Sequence, residues 1–352
     1  MNGERTSPAI TYAFSFTYVL VWNIATPFIP LYLTAHGATA TAVGIAVSLS
    51  SLLPLFFAVH VGALVDAHGS APVGKWSVAT EAIACAILAA VPSMTGVAVG
   101  YALLGLGNLG LTVATQIAVA EFSAPAARAS NYGYYSSWIS AGMVLGPIVG
   151  GVLVDFQGYP AVFISVLVLM IPSFVLASLV KPRVRSSSPA TGVWTAHHSA
   201  RSILGLPGVG LILFISFMVI SGQSLRQSFY PLYLQTVGLS PTLIGVIIGA
   251  GSLTSMLVRP FIGRAVSAFG YAPLLAGATG LAMGIRQTVQ RLGTVATPVA
   301  FGVLVTWYGI GSSFYLGALT MGVAMLVILR FGMHLRFELP TVGLEASPGD
   351  GG

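Results

Sequence analysis

Charged and amide side chains inside long apolar segments are the residues of this sequence best placed to do chemistry. Glu81 and Arg226 both lie in such segments, where a charge is costly and therefore marks a functional position. Arg226 follows Gln223 in a polar patch, where a permanent cation can contact a ligand or pair with an acid. Glu81 is either a protonated packing residue or a proton carrier.

Further polar residues share the depth of this patch or lie in a neighbouring apolar segment. Trp22 and Asn23 align with Gln223 and Ser224 in an internal repeat described below. Amides inside apolar segments also serve as hydrogen-bonding glue between helices. The candidate ligand contacts are Trp22, Asn23, Asn108, Gln116, Gln223 and Arg226.

Catalytic and metal-binding patterns are missing from the sequence. It has no Ser/His/Asp arrangement, P-loop, HExxH motif or nucleotide-binding fingerprint, which argues against an enzyme or an ATP-driven pump. Cys85 is the single cysteine, so disulfides and thiolate metal sites are excluded. His197 and His198 are adjacent without further ligands, as is common in solvated loops. We therefore expect no cofactor and no metal.

The elements that position these residues must be membrane helices. The chain is 56% hydrophobic and 6% charged, which excludes a soluble domain with a solvated surface. Segments long enough to span a membrane must be helical, because lipid offers no partner for backbone N–H and C=O groups. Ten such segments are predicted, at about 10–33, 42–65, 73–91, 97–119, 132–154, 160–180, 207–234, 242–263, 287–306 and 312–333. The fold class is an all-α, polytopic membrane helix bundle.

Basic residues predict the orientation of this bundle. Apart from Arg226, the Lys and Arg residues, Arg5, Lys75, Arg128 and Arg291 among them, fall in alternate connections or near their edges. By the positive-inside rule these connections and both termini are cytoplasmic. The net charge of +6 reflects this topology, and without an aromatic-interleaved basic patch it predicts no nucleic-acid partner.

The sequence repeats itself. Pro30 recurs as Pro231, 201 residues later, whereas Pro147 recurs as Pro298, 151 residues later. The second half therefore lacks about fifty residues, the length of one helical hairpin, near 274–283. Leu274 to Ile285 is too short to span and is predicted to be a cytoplasmic connection or re-entrant remnant. We predict an N-terminal bundle of six spans (1–180), a cytoplasmic linker (181–206), a C-terminal bundle of four spans (207–337) and a disordered tail (338–352).

A short loop after the second span carries a recognisable motif. Gly62, Asp66 and Gly69 combine close helix approach, a boundary carboxylate and a tight turn. The motif resembles the loop between the second and third helices of the Major Facilitator Superfamily. Its second-half copy, with serine in place of the acid, contains Arg259, Gly263 and Gly270.

The fifth predicted span carries a second motif of that superfamily. It resembles the signature of the superfamily's antiporters, which drug/proton exchangers carry. In the fourth span, Tyr101 stands where the resemblance predicts the arginine associated with proton coupling. The signature residues are Gly133, Gly142, Gly146, Pro147, Gly150 and Gly151.

The resemblance implies a secondary transporter of a small organic solute that works by alternating access in the cytoplasmic membrane. Efflux of hydrophobic or drug-like compounds, with protons as a coupling partner, is the favoured function, and the chain is expected to be a monomer in the lipid bilayer. It also implies that Asp66, Glu121 and Arg128 form a cytoplasmic gating cluster. The alternatives are metabolite uptake by symport or uniport, and a non-transporting protein that lacks a hairpin.

Overall fold

The first half of the chain forms seven α-helices in a single bundle. The computed structural model describes residues 7–91, 93–180, 209–268 and 280–332. Glycines with positive φ, Gly69 (88°) and Gly158 (81°), make tight turns between successive helices, since such backbone favours a residue without a Cβ. The helices are α1 (Pro8–Ala25), α2 (Ile29–Ala35), α3 (Ala40–His68), α4 (Ser70–Ala90), α5 (Met94–Phe122), α6 (Arg128–Gln157) and α7 (Tyr159–Leu179).

The described part of the second half contains four helices. These are α8 (Val209–Thr236), α9 (Pro241–Ala268), α10 (Gly280–Tyr308) and α11 (Gly311–Gly332). The all-α prediction is confirmed for the described residues. Seven helical segments, the joined α1 and α2 among them, are long and apolar enough to cross a membrane, and α9 and α11 contain shorter apolar stretches. The bundle therefore belongs to a multi-pass membrane protein.

The first span is interrupted, whereas its second-half copy is continuous. A 3-10 turn at Thr26–Phe28 separates α1 from α2, because Pro27 and Pro30 each remove a backbone donor from the helix. In α8 the first of these prolines is replaced by Ser228, and the helix runs unbroken through Pro231. Short 3-10 segments within helices often mark functional hinges, and Thr26 and Pro27 of this one line a cavity between the halves.

Two equivalent pairs of helices join the halves. Gly44 on α3 lies against Pro298 on α10, and Gly245 on α9 lies against Pro147 on α6. A Cβ added to either glycine would overlap the carbonyl oxygen of the facing proline. The two contacts are copies of each other under the 201- and 151-residue offsets, so the repeat in the sequence becomes a two-fold arrangement in the interface.

The start of α10 corrects one prediction from the sequence. Gly280 to Ile285 belong to the first turns of α10 and form neither a connection nor a re-entrant remnant. Residues 269–279 lie outside the described part, as do residues 181–208 and 333–352, which contain the predicted linker and tail. The predicted gap near 274–283 therefore stays a prediction from the sequence.

The predicted sidedness can be tested with single cysteines in a Cys85→Ser background. Cysteines at Ala35 and Val237, which lie at or beside exposed helix ends, are expected to react with an impermeant thiol reagent added outside intact cells. A cysteine at Ala126, in the exposed connection before Arg128, is expected to react only after permeabilisation. Labelling of Ala126→Cys in intact cells would reverse the orientation.

Candidate functional site

A central cavity of about 330 Å³ lies between the two halves. Its walls come from α1, α3, α5 and α6 of the first half and from α8, α9 and α10 of the second. Five of the six predicted ligand contacts line it together: Trp22, Asn23, Asn108, Gln223 and Arg226. A cavity of this size is at the lower end of the range, about 300–1,000 Å³, of small-molecule sites.

The first-half wall is held in place by local contacts. Asn23 Nδ2 donates a hydrogen bond to the Val19 carbonyl at 2.8 Å, which leaves its carbonyl oxygen available to a ligand. The rings of Trp22 and Tyr101 lie 6.4 Å apart at an angle of 36°. Tyr101, which replaces the arginine expected from the resemblance, thus contributes an aromatic surface to the cavity in place of a charge.

The second-half wall is a polar stripe on α8. Gln223, Arg226 and Gln227 are three and four residues apart, so they share one face of the helix. The Nη1 atom of Arg226 lies 3.5 Å from a Cβ built on Gly251 of α9, which places the guanidinium between α8 and α9. Arg226 can therefore present its fork of donors to a ligand in the cavity.

Arg291 on α10 also lines the cavity. The prediction that Arg291 lies at a cytoplasmic boundary is therefore wrong. Because α10 begins at Gly280, Arg291 lies roughly 16 Å along the helix from its start. Thr294, one turn further, lines the cavity as well. A sequence signal was available, since Arg291 falls inside the span predicted at 287–306 and shares a helical face with Thr294.

The charge of the cavity is positive. Arg226 and Arg291 are both in its walls, and no carboxylate is among the described residues that line it. Hydrogen bonds to a charged donor are stronger than neutral ones, and guanidinium matches carboxylate and phosphate geometry. The arrangement can bind an organic molecule with an aromatic or apolar body and a negative or strongly hydrogen-bonding group.

Gln116 is the predicted contact that does not reach the cavity. Its side chain is exposed, and its backbone carbonyl accepts a hydrogen bond from the Tyr132 hydroxyl at 2.9 Å. The residue lies two turns beyond Asn108 on α5, too far along the helix to share its level. Gln116 therefore belongs to the contact between α5 and α6.

Hydrogen bonds between the halves lie at the helix ends that the charge rule predicts to be extracellular. Thr41 at the start of α3 donates from its amide to the Thr306 hydroxyl at 3.1 Å, and the two hydroxyl groups are 2.8 Å apart. Asp155 Oδ2 accepts a hydrogen bond from the Thr242 amide at 2.8 Å. This end of the cavity is thus closed by pairs of α3 with α10 and of α6 with α9.

The motif after the second span is partly assembled at the opposite end. The Ser70 hydroxyl donates to Glu121 Oε2 at 3.0 Å, which ties the turn after α3 to the end of α5. Asp66 and Arg128 are exposed, and no ion pair joins them within the described residues. The complete gating cluster stays a prediction. Gly270, the side chain of Arg259 and the packing around Gly263 lie outside the described part.

Five of the six residues of the second signature pack on two faces of α6. Gly142, Gly146 and Gly150 pack against α1, and the Pro147 carbonyl and Gly151 pack against α9. Side chains at the second and third of these glycines would overlap Asn23 and Ile24. Gly133 and Gly62, by contrast, have nothing within 4 Å of a built Cβ, so close helix approach does not explain them.

Glu81 is fully buried within the first half, away from the central cavity. Its exposed fraction is 0%, and neither carboxyl oxygen has a hydrogen-bond partner within the described part of the chain. Its side chain packs against Gly107 of α5. An ionised carboxylate without partners is very costly here, so the carboxyl group is expected to be neutral in this conformation.

Comparison with known proteins places this geometry among transporters. The family model described as Major Facilitator Superfamily matches residues 11–281. The chain is 31% identical over 150 residues to the tetracycline resistance protein, class G, of Vibrio anguillarum, a match that covers 42% of this chain and only 37% of that protein. It is 25% identical over 321 residues to the multi-drug resistance efflux pump PmrA homolog of Lactococcus lactis subsp. lactis, covering 87% of this chain and 76% of that protein.

A solved structure supports the fold. The nucleoside transporter NupG matches with a TM-score of 0.69 at 13% identity, and the match covers 94% of this chain and 99% of NupG. At this identity the likeness concerns the arrangement of the helices alone.

Proposed function

The chain belongs to the Major Facilitator Superfamily, and we propose that it is a secondary transporter that exports lipophilic, drug-like organic compounds from the cell by alternating access. The observation that carries this proposal is the cavity between the two halves, in which Trp22 and Tyr101 face Gln223 and Arg226. Aromatic surface with a few convergent polar groups is typical of sites for drug-sized ligands. Two relatives are named for tetracycline resistance and multidrug efflux, and these functions support export.

The exported class is proposed to be neutral or anionic. Arg226 and Arg291 would repel a cation in a site where lipid and protein screen charges poorly. A compound with a carboxylate, phenolate or strongly polarised carbonyl would satisfy both guanidinium groups. The charge preference therefore narrows the range of compounds suggested by the relatives.

Transport by everted membrane vesicles tests this function. On energisation, vesicles containing the chain are expected to accumulate a lipophilic organic anion above the level of vesicles without it, and a lipophilic cation of similar size is not. Vesicles with Arg226→Ala at equal protein level are the control for the site. Preferential accumulation of the cation would contradict the proposed charge preference.

A second candidate function is uptake of a small anionic metabolite. It is favoured by the two arginines in the cavity, which suit a compact carboxylate or phosphate as well as a lipophilic one. The same assay separates the two candidates, because an uptake system would accumulate the anion in right-side-out vesicles. Export of the lipophilic anion from those vesicles would exclude uptake.

Glu81 is proposed to carry the coupling proton. Its support is a carboxyl group with 0% exposure and no described hydrogen-bond partner, which must gain or lose a proton as its surroundings change. We expect Glu81→Gln to fold with unchanged stability, because the amide keeps the shape of the neutral acid, and to lose the dependence of transport on the proton gradient. Gradient-driven transport at the wild-type rate in Glu81→Gln would leave Glu81 with a packing role.

A further inference from the structure

A second cavity, of about 680 Å³, opens beside the central one. We call it the lateral groove. It lies between α6, α8, α9 and α11 and shares Met143, Gln223, Arg226, Tyr230 and Ser252 with the central cavity. The side chains that line it away from this shared wall are mainly apolar or small: Val219, Leu225, Phe314, Ala318 and Met321.

The internal repeat shows why this groove exists. Val219 and Met321 are 57% and 38% exposed, whereas their first-half counterparts, Tyr18 and Met170, are 2% and 3% exposed. In the first half, α5 packs against α1 and α4 packs against α7. In the described part of the second half no helix takes the places of α4 and α5, and residues 269–279 are too few to span. The lateral groove is the uncovered face that remains.

An uncovered face inside the membrane is in contact with lipid. Because acyl chains are as apolar as leucine, they can fill a groove that no described helix covers. Apolar side chains lining the lateral groove suit a hydrocarbon tail, and its volume is within the range of small-molecule sites. The bilayer thus has direct access to the wall that holds Arg226.

Arg226 determines what kind of molecule fits. Its first-half counterpart is Ala25, which is 0% exposed, so the cation is an addition at a position where the first half has only a methyl group. A cation at this depth is costly without an anionic partner. Glu121 and Asp155 lie at the ends of their helices, and Glu81, the acidic residue deep inside an apolar span, is fully buried. A second copy of this chain therefore has no accessible carboxylate to offer Arg226 at this depth.

We propose that the lateral groove binds a single-chain amphiphile with an anionic head, taken from the bilayer, with its hydrocarbon tail against α8 and α11 and its head on Arg226. The inference rests on the proposed function in one respect, because it identifies amphipathic anions as a substrate class that enters the same cavity from the side. The shared wall then passes the head group from the groove to Arg291 in the central cavity.

Binding of radiolabelled palmitate to the purified chain in nanodiscs of neutral lipid tests the proposal. Wild-type protein is expected to bind palmitate, and butyrate, which lacks the tail, is expected not to compete. Arg226→Ala is expected to weaken palmitate binding by about tenfold or more, the loss of one charge-assisted contact, without affecting hexadecanol, which lacks the charge. Arg226→Lys is expected to recover part of the affinity.

Two neighbouring positions on α11 provide a matched pair. Ala318→Trp fills the lateral groove and is expected to weaken palmitate and hexadecanol alike by about tenfold or more. Leu319→Trp, at a lipid-exposed position that does not line the groove, is expected to leave both unchanged. Ala318→Leu is the milder second variant if tryptophan prevents folding.

The outcomes separate the groove from the proposed function. Palmitate binding that survives Ala318→Trp or Ala318→Leu in folded protein, or that falls equally in Leu319→Trp, would overturn the groove. Export of a lipophilic anion without palmitate binding would also overturn the groove, but it would leave the proposed function intact. Palmitate binding with the expected variant pattern but no export in vesicles would support the groove and contradict the proposed function.

Discussion

Gly151→Ala is expected to abolish transport while Gly133→Ala, in the same helix, leaves it unchanged. A Cβ at Gly151 would overlap the Pro241 carbonyl across the interface between the halves. The backbone of α9 cannot move aside as a flexible side chain can. To make room for the methyl group, α6 and α9 must therefore shift or separate at the closed end. Overpacking of this kind costs about 1–3 kcal/mol, which is comparable to the free-energy differences that separate transporter conformations.

Export by everted vesicles and thiol labelling together measure this effect. In Gly151→Ala, a cysteine introduced at Thr41, which is part of the closed end, should become more reactive from outside than in the parent protein. Gly302 is the counterpart of Gly151 in the internal repeat. Gly302→Ala should also lose transport and make Thr41→Cys more reactive, because its Cβ would overlap the Ala40 carbonyl. Wild-type export by both variants would show that the interface tolerates a methyl group and that these glycines do not determine closure.

Arg291→Ala is expected to cause the second large effect, a loss of about tenfold or more in affinity for anionic ligands of the central cavity. Arg291 lines that cavity and does not line the lateral groove. Its removal should therefore weaken a compact anion and leave the binding of the palmitate tail to the groove unaffected. Ligand-dependent thermal shift measures the change, because a ligand that binds only the folded state stabilises it.

A matched arginine controls for the loss of charge itself. Arg330 is exposed in the last turn of α11, so Arg330→Ala removes the same charge without touching either cavity. We expect its thermal shift with each anion to equal that of the wild type. An equal shift in Arg291→Ala as well would show that the anion binds elsewhere.

Much of the fold could be predicted from the sequence, because lipid allows so few backbone arrangements. Apolar length and alternating basic connections are local properties of the sequence. They predicted the bounds of most helices to within a few residues, as α3, α5 and α6 show. The repeat offsets also predicted equivalent partners, as the pairs Gly44 with Pro298 and Gly245 with Pro147 show.

The site was predicted less completely, because depth in a membrane depends on where each helix begins. The predicted start of the ninth span, at about 287, was seven residues later than Gly280, and that difference moved Arg291 from a boundary to a cavity wall. The prediction for Gln116 was wrong for a related reason, since polarity alone does not tell whether an amide lies at the level of the cavity along α5. The lateral groove is formed by four helices together, so no single helix carried a sequence signal for it.

The closed end of the cavity has a consequence for speed. Four of its close contacts, at Gly44, Gly151, Gly245 and Gly302, are between a glycine and a backbone carbonyl, so no side chains interlock at these four points. Separation of these surfaces therefore requires few side chains to change rotamer. The hydrogen bonds of Thr41 and Thr242 are exposed, so water can replace them when the surfaces separate. The activation barrier to opening should accordingly be low and weakly dependent on temperature, which would leave ligand release, and not helix repacking, to set the turnover time of the cycle.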